Sequence, residues 1–226
     1  MKILLATILK YMFDIPRTIW FNLKYFPFSV AIKLPVLIGN NVKICEMHRN
    51  AIVISGKEKI TPFMIKIGVG RAEGVSGARR GCLFLGENAQ LIFKGNAQIS
   101  EGILIRSTNG KILIGNNFYS NLNLSIICAN KIEIGEDVLL GWDINIRDCD
   151  GHFVYINGER SNIPKPVYIG DRVWIGAYVD ILKGVSIGSG SIVAYRSCVL
   201  KPFSEENILI GGYPAKKLKT NIAWQV

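Results

Sequence analysis

VYIGDRVWIGAYVDILKGVSIGSGSIVAYRSCVLK, residues 167–201, repeats every six residues. Ile169, Ile175, Ile181, Ile187, Val193 and Val199 share one position of the repeat. Val167, Val173, Val179 and Val185, then Ser191 and Ser197, stand two residues earlier. An α-helix advances 3.6 residues per turn and would rotate such positions around its whole surface. A chain that turns a corner every six residues keeps them on one side. Each short strand then points a side chain inward, and small or polar residues at the corners accept tight backbone. Gly170, Gly176 and Gly188 follow three of the aliphatic positions and Ala194 a fourth. A six-residue period of this kind predicts a parallel β-helix.

The pattern extends upstream. KILIGNNFYSN (111–121) is echoed twenty residues later by KIEIGEDVLLG (131–141). Ile144 and Ile146 continue it, but the next aliphatic position is Ile169, 23 residues on, where one hexad needs 6. The surplus of 17 falls within residues 147–165, RDCDGHFVYINGERSNIPK, and predicts a loop extruded at a corner. Insertions in solenoids leave at corners, and such loops carry function. Residues 36–110 show only a degenerate repeat, and the glycine-rich stretch 68–81 reads as a loop.

Residues 1–35 carry Leu4, Leu5, Ile8, Leu9, Met12 and Phe13 at helical spacing, with Pro16 expected to end or kink that helix. Trp20, Phe21, Tyr25, Phe26 and Phe28 follow among Arg17 and Lys24. This segment reads either as a helical cap on the first coil or as a basic amphipathic surface, residues 1–27, that contacts a membrane. After Lys201 the period stops, and ILIGGYPAKKLKTNIAW is expected to form a half-coil and a short basic helix. The chain therefore divides into an N-terminal segment (1–35), a β-helix (36–202) and a C-terminal half-coil and helix (203–226).

The 226 residues carry a formal net charge of +10. That excess points to a polyanionic partner such as an acidic membrane surface or a phosphate-rich cofactor. Nucleic acid is disfavoured, because no binding motif and no basic run beyond Lys216, Lys217 and Lys219 is present. Five cysteines, Cys45, Cys82, Cys128, Cys149 and Cys198, are widely spaced with no CxxC, which reads as unpaired thiols in a reducing, cytoplasmic compartment.

The extruded loop holds one of only two histidines, His152, preceded by Asp148 and Asp150. A neutral imidazole is the natural general base near pH 7, and a nearby carboxylate orients it and stabilises its protonated form. Cys149 is the rival reading, as a nucleophile, but acidic neighbours disfavour its thiolate. No metal is expected: the zinc-holding β-helical carbonic anhydrases use three histidines, and here only His48 and His152 exist.

Residues 111–224 resemble the hexapeptide-repeat, left-handed β-helix acyltransferases. They are most similar to bacterial polysaccharide O-acetyltransferases and the maltose/galactoside acetyltransferase group. The resemblance is carried by Asn117–Asn123, by Asp150-Gly151-His152, by IGDRVWIGAYVDILKGVSIG at 169–188, and by Gly212-Tyr213-Pro214-Ala215-Lys216. It implies a homotrimer that moves acetyl from acetyl-CoA to a sugar hydroxyl in capsule, lipopolysaccharide or O-antigen synthesis. His152 then matches the general base, with Asp150 beside it, and Asn123 an active-site asparagine. Trp174 matches a wall of the acceptor and pantetheine cleft. Gly176, Ala177, Ala194 and Tyr195 match backbone that grips pantetheine, and Lys201 and Lys216 lie near the nucleotide. The compensating cations would be Lys183, Arg196, Lys201, Lys216, Lys217 and Lys219. The chain departs from the family at 194–201, AYRSCVLK, and at Cys128, where the galactoside group has an acceptor-binding Asp; the latter implies a different acceptor. Other readings are N-acyl transfer to an amino-sugar nucleotide, and a non-catalytic scaffold or membrane-docking module.

Overall fold

The computed structural model describes residues 12–70 and 79–225. The chain winds into a three-faced prism of parallel sheets. The first face starts at Val36–Ile38 and ends at Leu209–Gly212, with Ala215–Lys219 added antiparallel. The second runs from Val42–Met47 to Cys198–Val199, and the third from Ile52–Ile54 to Ser186–Ile187. Each coil crosses all three faces and hydrogen-bonds to the coil above.

The hexad positions form the core. Ile114, Ile134, Ile169 and Ile187 stack in register on the third face. Ile126, Ile146, Ile181 and Val199 do so on the second, and Leu140, Ile175, Val193 and Ile210 on the first. All are buried. Burying each such aliphatic side chain contributes about 1.5–3 kcal/mol, so the continuous column is the principal stabilising feature.

Residues 36–110 belong to the same prism, and their irregularity lies in coil length. Val36 pairs with Ile65 and Ile65 with Ala97, coils of 29 and 32 residues, against 20 from Lys111 to Lys131. Long corners there disrupt the sequence period without disturbing the inward stack.

At the N-terminal cap Pro16 lies in the first turn of a helix, α1 (Ile15–Tyr25), where its absent N–H costs nothing. The helical pattern over Leu4–Leu9 lies outside the described residues. A short helix, α2 (Phe28–Ala31), follows. The inward side of α1 is partly polar, with Thr18 and Asn22 fully buried. Asn22 Nδ2 donates to the Val36 carbonyl at 2.7 Å, Asn22 Oδ1 accepts from Val36 N–H at 3.2 Å, and Thr18 Oγ1 accepts from Ile38 N–H at 3.1 Å. These side chains satisfy the open edge of the first rung. Phe21 and Tyr25 fill the end of the core.

The basic C-terminal helix is not formed. Ala215–Lys219 is a strand paired with Leu209–Gly212. The last rung would otherwise expose an unpaired edge, and a returning strand satisfies it where a helix would not. Inside that last turn, buried Ser191 accepts from Ile208 N–H, while Ser197 donates to the Ala194 carbonyl and accepts from Gly212 N–H.

Asn22→Leu keeps the volume of the cap but strands the Val36 N–H and carbonyl. The expected loss is about 2 kcal/mol of unfolding free energy by urea titration, with exposed Ser29→Ala near neutral. An Asn22→Leu protein as stable as wild type would remove the edge-satisfying role.

Candidate functional site

The loop that leaves after Asn145–Arg147 is clamped at its root by Asp148. This carboxylate is fully buried. Its Oδ1 accepts from Ala129 N–H at 2.7 Å, and its Oδ2 from Asn130 N–H at 2.7 Å and Lys131 N–H at 2.8 Å. Its own carbonyl accepts from Lys165 N–H at 2.9 Å, which ties the returning strand to the departing one. Three backbone donors supply the charge compensation a buried carboxylate requires. Asp148 is thus a fastener and does not serve His152.

Beyond the clamp, Tyr155–Ile156 and Glu159–Arg160 form an antiparallel hairpin. Asn162, nearly buried, closes it: Oδ1 accepts from Val154 N–H at 2.7 Å, and Nδ2 donates to the His152 carbonyl. His152 is held by its backbone while its imidazole, exposed, hydrogen-bonds to nothing among the described residues. Asp150 turns away from it. Its carboxylate accepts from Lys183 Nζ, and this hydrogen bond holds Asp150 below the usual carboxylate range. The expected Asp150–His152 pairing is therefore replaced by an Asp150–Lys183 pairing. Lys183, expected among the free cations, is spent on it, as Lys217 is on Glu205.

His152 opens onto a cleft of about 420 Å³, lined also by Arg106, Cys128, Cys149, Arg160 and Asn162. Burial, reinforced by Asp148, pushes the Cys128 and Cys149 thiols up. Both are therefore protonated at neutral pH, and Cys149 is not poised as a nucleophile. Cys128 packs its sulfur 3.4 Å from Asp148 Oδ2. All five cysteines are free, although Cys45 Sγ lies 2.6 Å from Cys82 Sγ.

A second assembly occupies a different corner of the prism, between the first and second faces. Asn123, half-buried with φ +64°, donates from Nδ2 to Asp143 Oδ1 at 2.7 Å. In the same column Gly176 and Ala177 follow Trp174–Ile175, and Ala194 and Tyr195 follow Ile192–Val193. Gly176 N–H donates to the Val193 carbonyl, and Arg196 N–H to the Ala177 carbonyl. A Cβ on Gly176 would sit 2.8 Å from the Tyr195 nitrogen, so only glycine permits this approach. Tyr178 and Tyr195 are exposed and meet edge to face at 5.6 Å, with the Arg196 guanidinium over both. Trp174 is 40% exposed on the first face, its ring 6.1 Å from that of Trp224, and it does not line the His152 cleft. Lys201 is exposed beside the Phe203 ring, and Lys216 is exposed on the final strand. Within one chain, Asn123 and His152 are not brought together.

Arg106, Arg160 and Asn162 were not among the residues the sequence pointed to. Arg106 lies at an outward position of LIRS (104–107), so alternation marked its direction. Its place beside His152 depends on cross-coil pairing, Ile127 opposite Arg106 and Arg147 opposite Ile127.

The two fasteners differ in depth, and their removal should differ accordingly. Asp148→Asn is expected to raise tryptic cleavage after Arg160 by about thirtyfold, a loss of about 2 kcal/mol at a buried carboxylate. Lys183→Gln removes a half-exposed pair and should raise it only about twofold. Because the Asp150 value is depressed in the folded chain, its contribution is complete above the unfolded value near pH 4 and is lost as pH falls through the folded one. Mass spectrometry of the nicked chain reads the ratio; equal rates in the two variants would contradict the assignment.

Residues 166–201 match the family described as bacterial transferase hexapeptide (six repeats). Over 117 residues, half of this chain and 56% of the relative, the sequence is 35% identical to galactoside O-acetyltransferase of Escherichia coli. Over 106 residues, 46% of this chain and 49% of the relative, it is 38% identical to polysialic acid O-acetyltransferase of Neisseria meningitidis. The chain spans about half the length of the curated relatives it matches. Among solved structures, the polySia-specific acetyltransferase NeuO superposes with a TM-score of 0.54 at 23% identity, over 85% of this chain and 79% of that one, a likeness of fold. With its three parallel faces and inward hexads, the chain is a left-handed parallel β-helix, and its residues 166–201 carry the repeats of the bacterial transferase hexapeptide family.

Proposed function

We propose that the protein transfers the acetyl group of acetyl-CoA to a sugar hydroxyl during synthesis of a surface polysaccharide. The observation that carries this reading is the fastened loop. It holds His152 at the mouth of a cleft of sugar size, with its imidazole uncommitted and the neighbouring thiols protonated. The names of the relatives, which include galactoside and polysialic acid O-acetyltransferases, support it. His152 accepts the hydroxyl proton as the oxygen attacks the thioester carbonyl. The new C–O bond forms, a backbone N–H stabilises the oxyanion, and the C–S bond breaks. The proton passes from His152 to the departing sulfur, so no acyl-enzyme is required.

In this scheme acetyl-CoA lies along the column of Gly176, Ala177, Ala194 and Tyr195, with Lys201 and Lys216 towards its phosphates. That column and Asn123 share one corner, while His152 leaves from another. A homotrimer, in which one chain offers its column to the loop of the next, unites them. The exposed apolar side chains Phe153, Val154, Tyr155, Ile156 and Ile163 on the loop are suited to such a contact. Free thiols fit a cytoplasmic setting.

The expected result for His152→Ala is a loss of about a hundredfold or more in turnover, with acetyl-CoA affinity unchanged. Thiol release against a panel of sugars measures it, and lability of the product to mild base distinguishes an ester from an amide. Near-normal turnover would refute the base assignment.

A second reading concerns location. The outward side of α1 and α2, together with the residues flanking them, is apolar, with Phe13, Ile19, Trp20, Leu23, Phe28 and Ile32 exposed. Lys24 and Lys33 lie among them, Arg17 is turned inward to the Val42 carbonyl, and Asp14, the one carboxylate of residues 12–35, is engaged by Asn40 N–H. A basic apolar surface of this kind fits an anionic bilayer. Among the described residues no helix is long and apolar enough to cross a membrane, so the contact would be peripheral. Trp20→Ala with Phe28→Ala should abolish sedimentation with phosphatidylglycerol vesicles. Equal sedimentation of variant and wild type would end this reading.

A further inference from the structure

We infer that the cleft beside His152 selects an anionic acceptor, a glycan carrying carboxylate or phosphate, and that Arg106 and Arg160 hold its charge. This rests on the acetyltransferase reading and specifies the substrate class of that site.

The two guanidiniums reach the cleft from independent elements, the rung Leu104–Ser107 and the hairpin strand Glu159–Arg160. Each is braced by an aromatic ring. Arg160 Cζ lies 4.0 Å from the Phe153 centroid, and Arg106 Cζ 4.9 Å from that of Phe84. Stacking occupies the flat face of a guanidinium and leaves its N–H edge, the edge that matches carboxylate or phosphate bidentately. Neither arginine forms an ion pair among the described residues.

The negative side of the balance is already spent. Asp150 is the one carboxylate lining the cleft among the described residues, and Lys183 neutralises it. Asp148, beneath, is consumed by three backbone donors. Cys128 and Cys149 are held as neutral thiols. A third guanidinium stands behind: Phe84, Arg106, Ile127 and Arg147 run in register up the second face, and Arg147 Nε is buried without a partner among the described residues. The cleft therefore carries braced positive charge with no counter-ion among the described residues. A neutral sugar leaves those cations without an anion in a partly desolvated site, whereas an acidic residue compensates them, so selectivity follows from both effects.

The test titrates four probes against the full-length protein at low salt, without acetyl-CoA: oligosialic acid, oligogalacturonic acid, a phosphodiester-linked glycan and neutral galacto-oligosaccharide. At least one acidic probe should bind about tenfold or more tightly than the neutral one, a preference that falls with added salt. Preference for the two carboxylate probes over the phosphodiester, or the reverse, identifies the acid. The double variant Arg106→Gln/Arg160→Gln should lose that preference while acetyl-CoA affinity stays within about twofold, and the double Lys variant should restore part of it. Equal or tighter binding of the neutral probe overturns the inference, as does a double variant whose defect lies in acetyl-CoA affinity. Arginine-dependent binding of an acidic probe with no thiol release from acetyl-CoA would sink the acetyltransferase reading and leave this one standing. Thiol release with neutral acceptors, unaffected by the double variant, would do the opposite.

Discussion

In-register stacking of one coil on the next is the constraint from which the other features follow. Each rung satisfies its backbone groups on the coils above and below, so a slip of one residue would turn every inward aliphatic side chain to solvent. The columns Ile126–Ile146–Ile181 and Ile134–Ile169–Ile187 show the register kept across the long excursion at 148–166. An insertion of that length survives only if it leaves and rejoins the prism without shifting the next rung. Asp148 meets this requirement: it binds the coil below through its carboxylate and the returning strand through its carbonyl. The same fastening that protects the register aims the loop, and hence His152, at the cleft.

A stack of rungs has two open ends, and each is finished with polar groups that take up backbone edges beside the apolar packing. Thr18 and Asn22 take up the first strand edge, and Ser191 and Ser197 serve the last turns together with a returning strand. At the N-terminus this inverts the usual amphipathic logic of a surface helix, in which polar residues face water. With Thr18 and Asn22 on the inward side of α1 committed to backbone edges, part of its apolar surface is left outward. That physical trade-off is the source of the exposed Trp20 and Leu23.

The hexads of 167–199 were legible because β-branched residues recur at one inward position with little corner variation, and every one of those aliphatic residues is buried. The extruded loop was legible as an excess of residues in the same count. The early coils were obscured because corners of unequal length break the period while leaving the stack intact. Pro16 was ambiguous, since the residue that breaks a helix interior also starts a helix well. The C-terminal strand escaped because its partner edge exists only after the coils have formed. At the site, proximity in sequence placed Asp150 beside His152, but Lys183, 33 residues away, lies one coil on and captures it. Arg106 was hidden for the same reason: its neighbours are set by coil register, and sequence distance carries no trace of it.

The charge arrangement around His152 bears on how one scaffold accommodates different acceptors. The inward positions are closed to variation, because each is stacked between like neighbours at close-packed density. The outward positions of the second face and the residues of the extruded loop bear no such load. Stacking Arg106 and Arg160 on rings at the rim of the cleft changes the field of the site without disturbing a single rung. Under the proposed function, the base remains where the loop fastener puts it while the acceptor is chosen by side chains that contribute little to folding. On that reading the division of labour is a consequence of the prism: its core specifies where the chemistry occurs, and its outer ladder and loop specify on what.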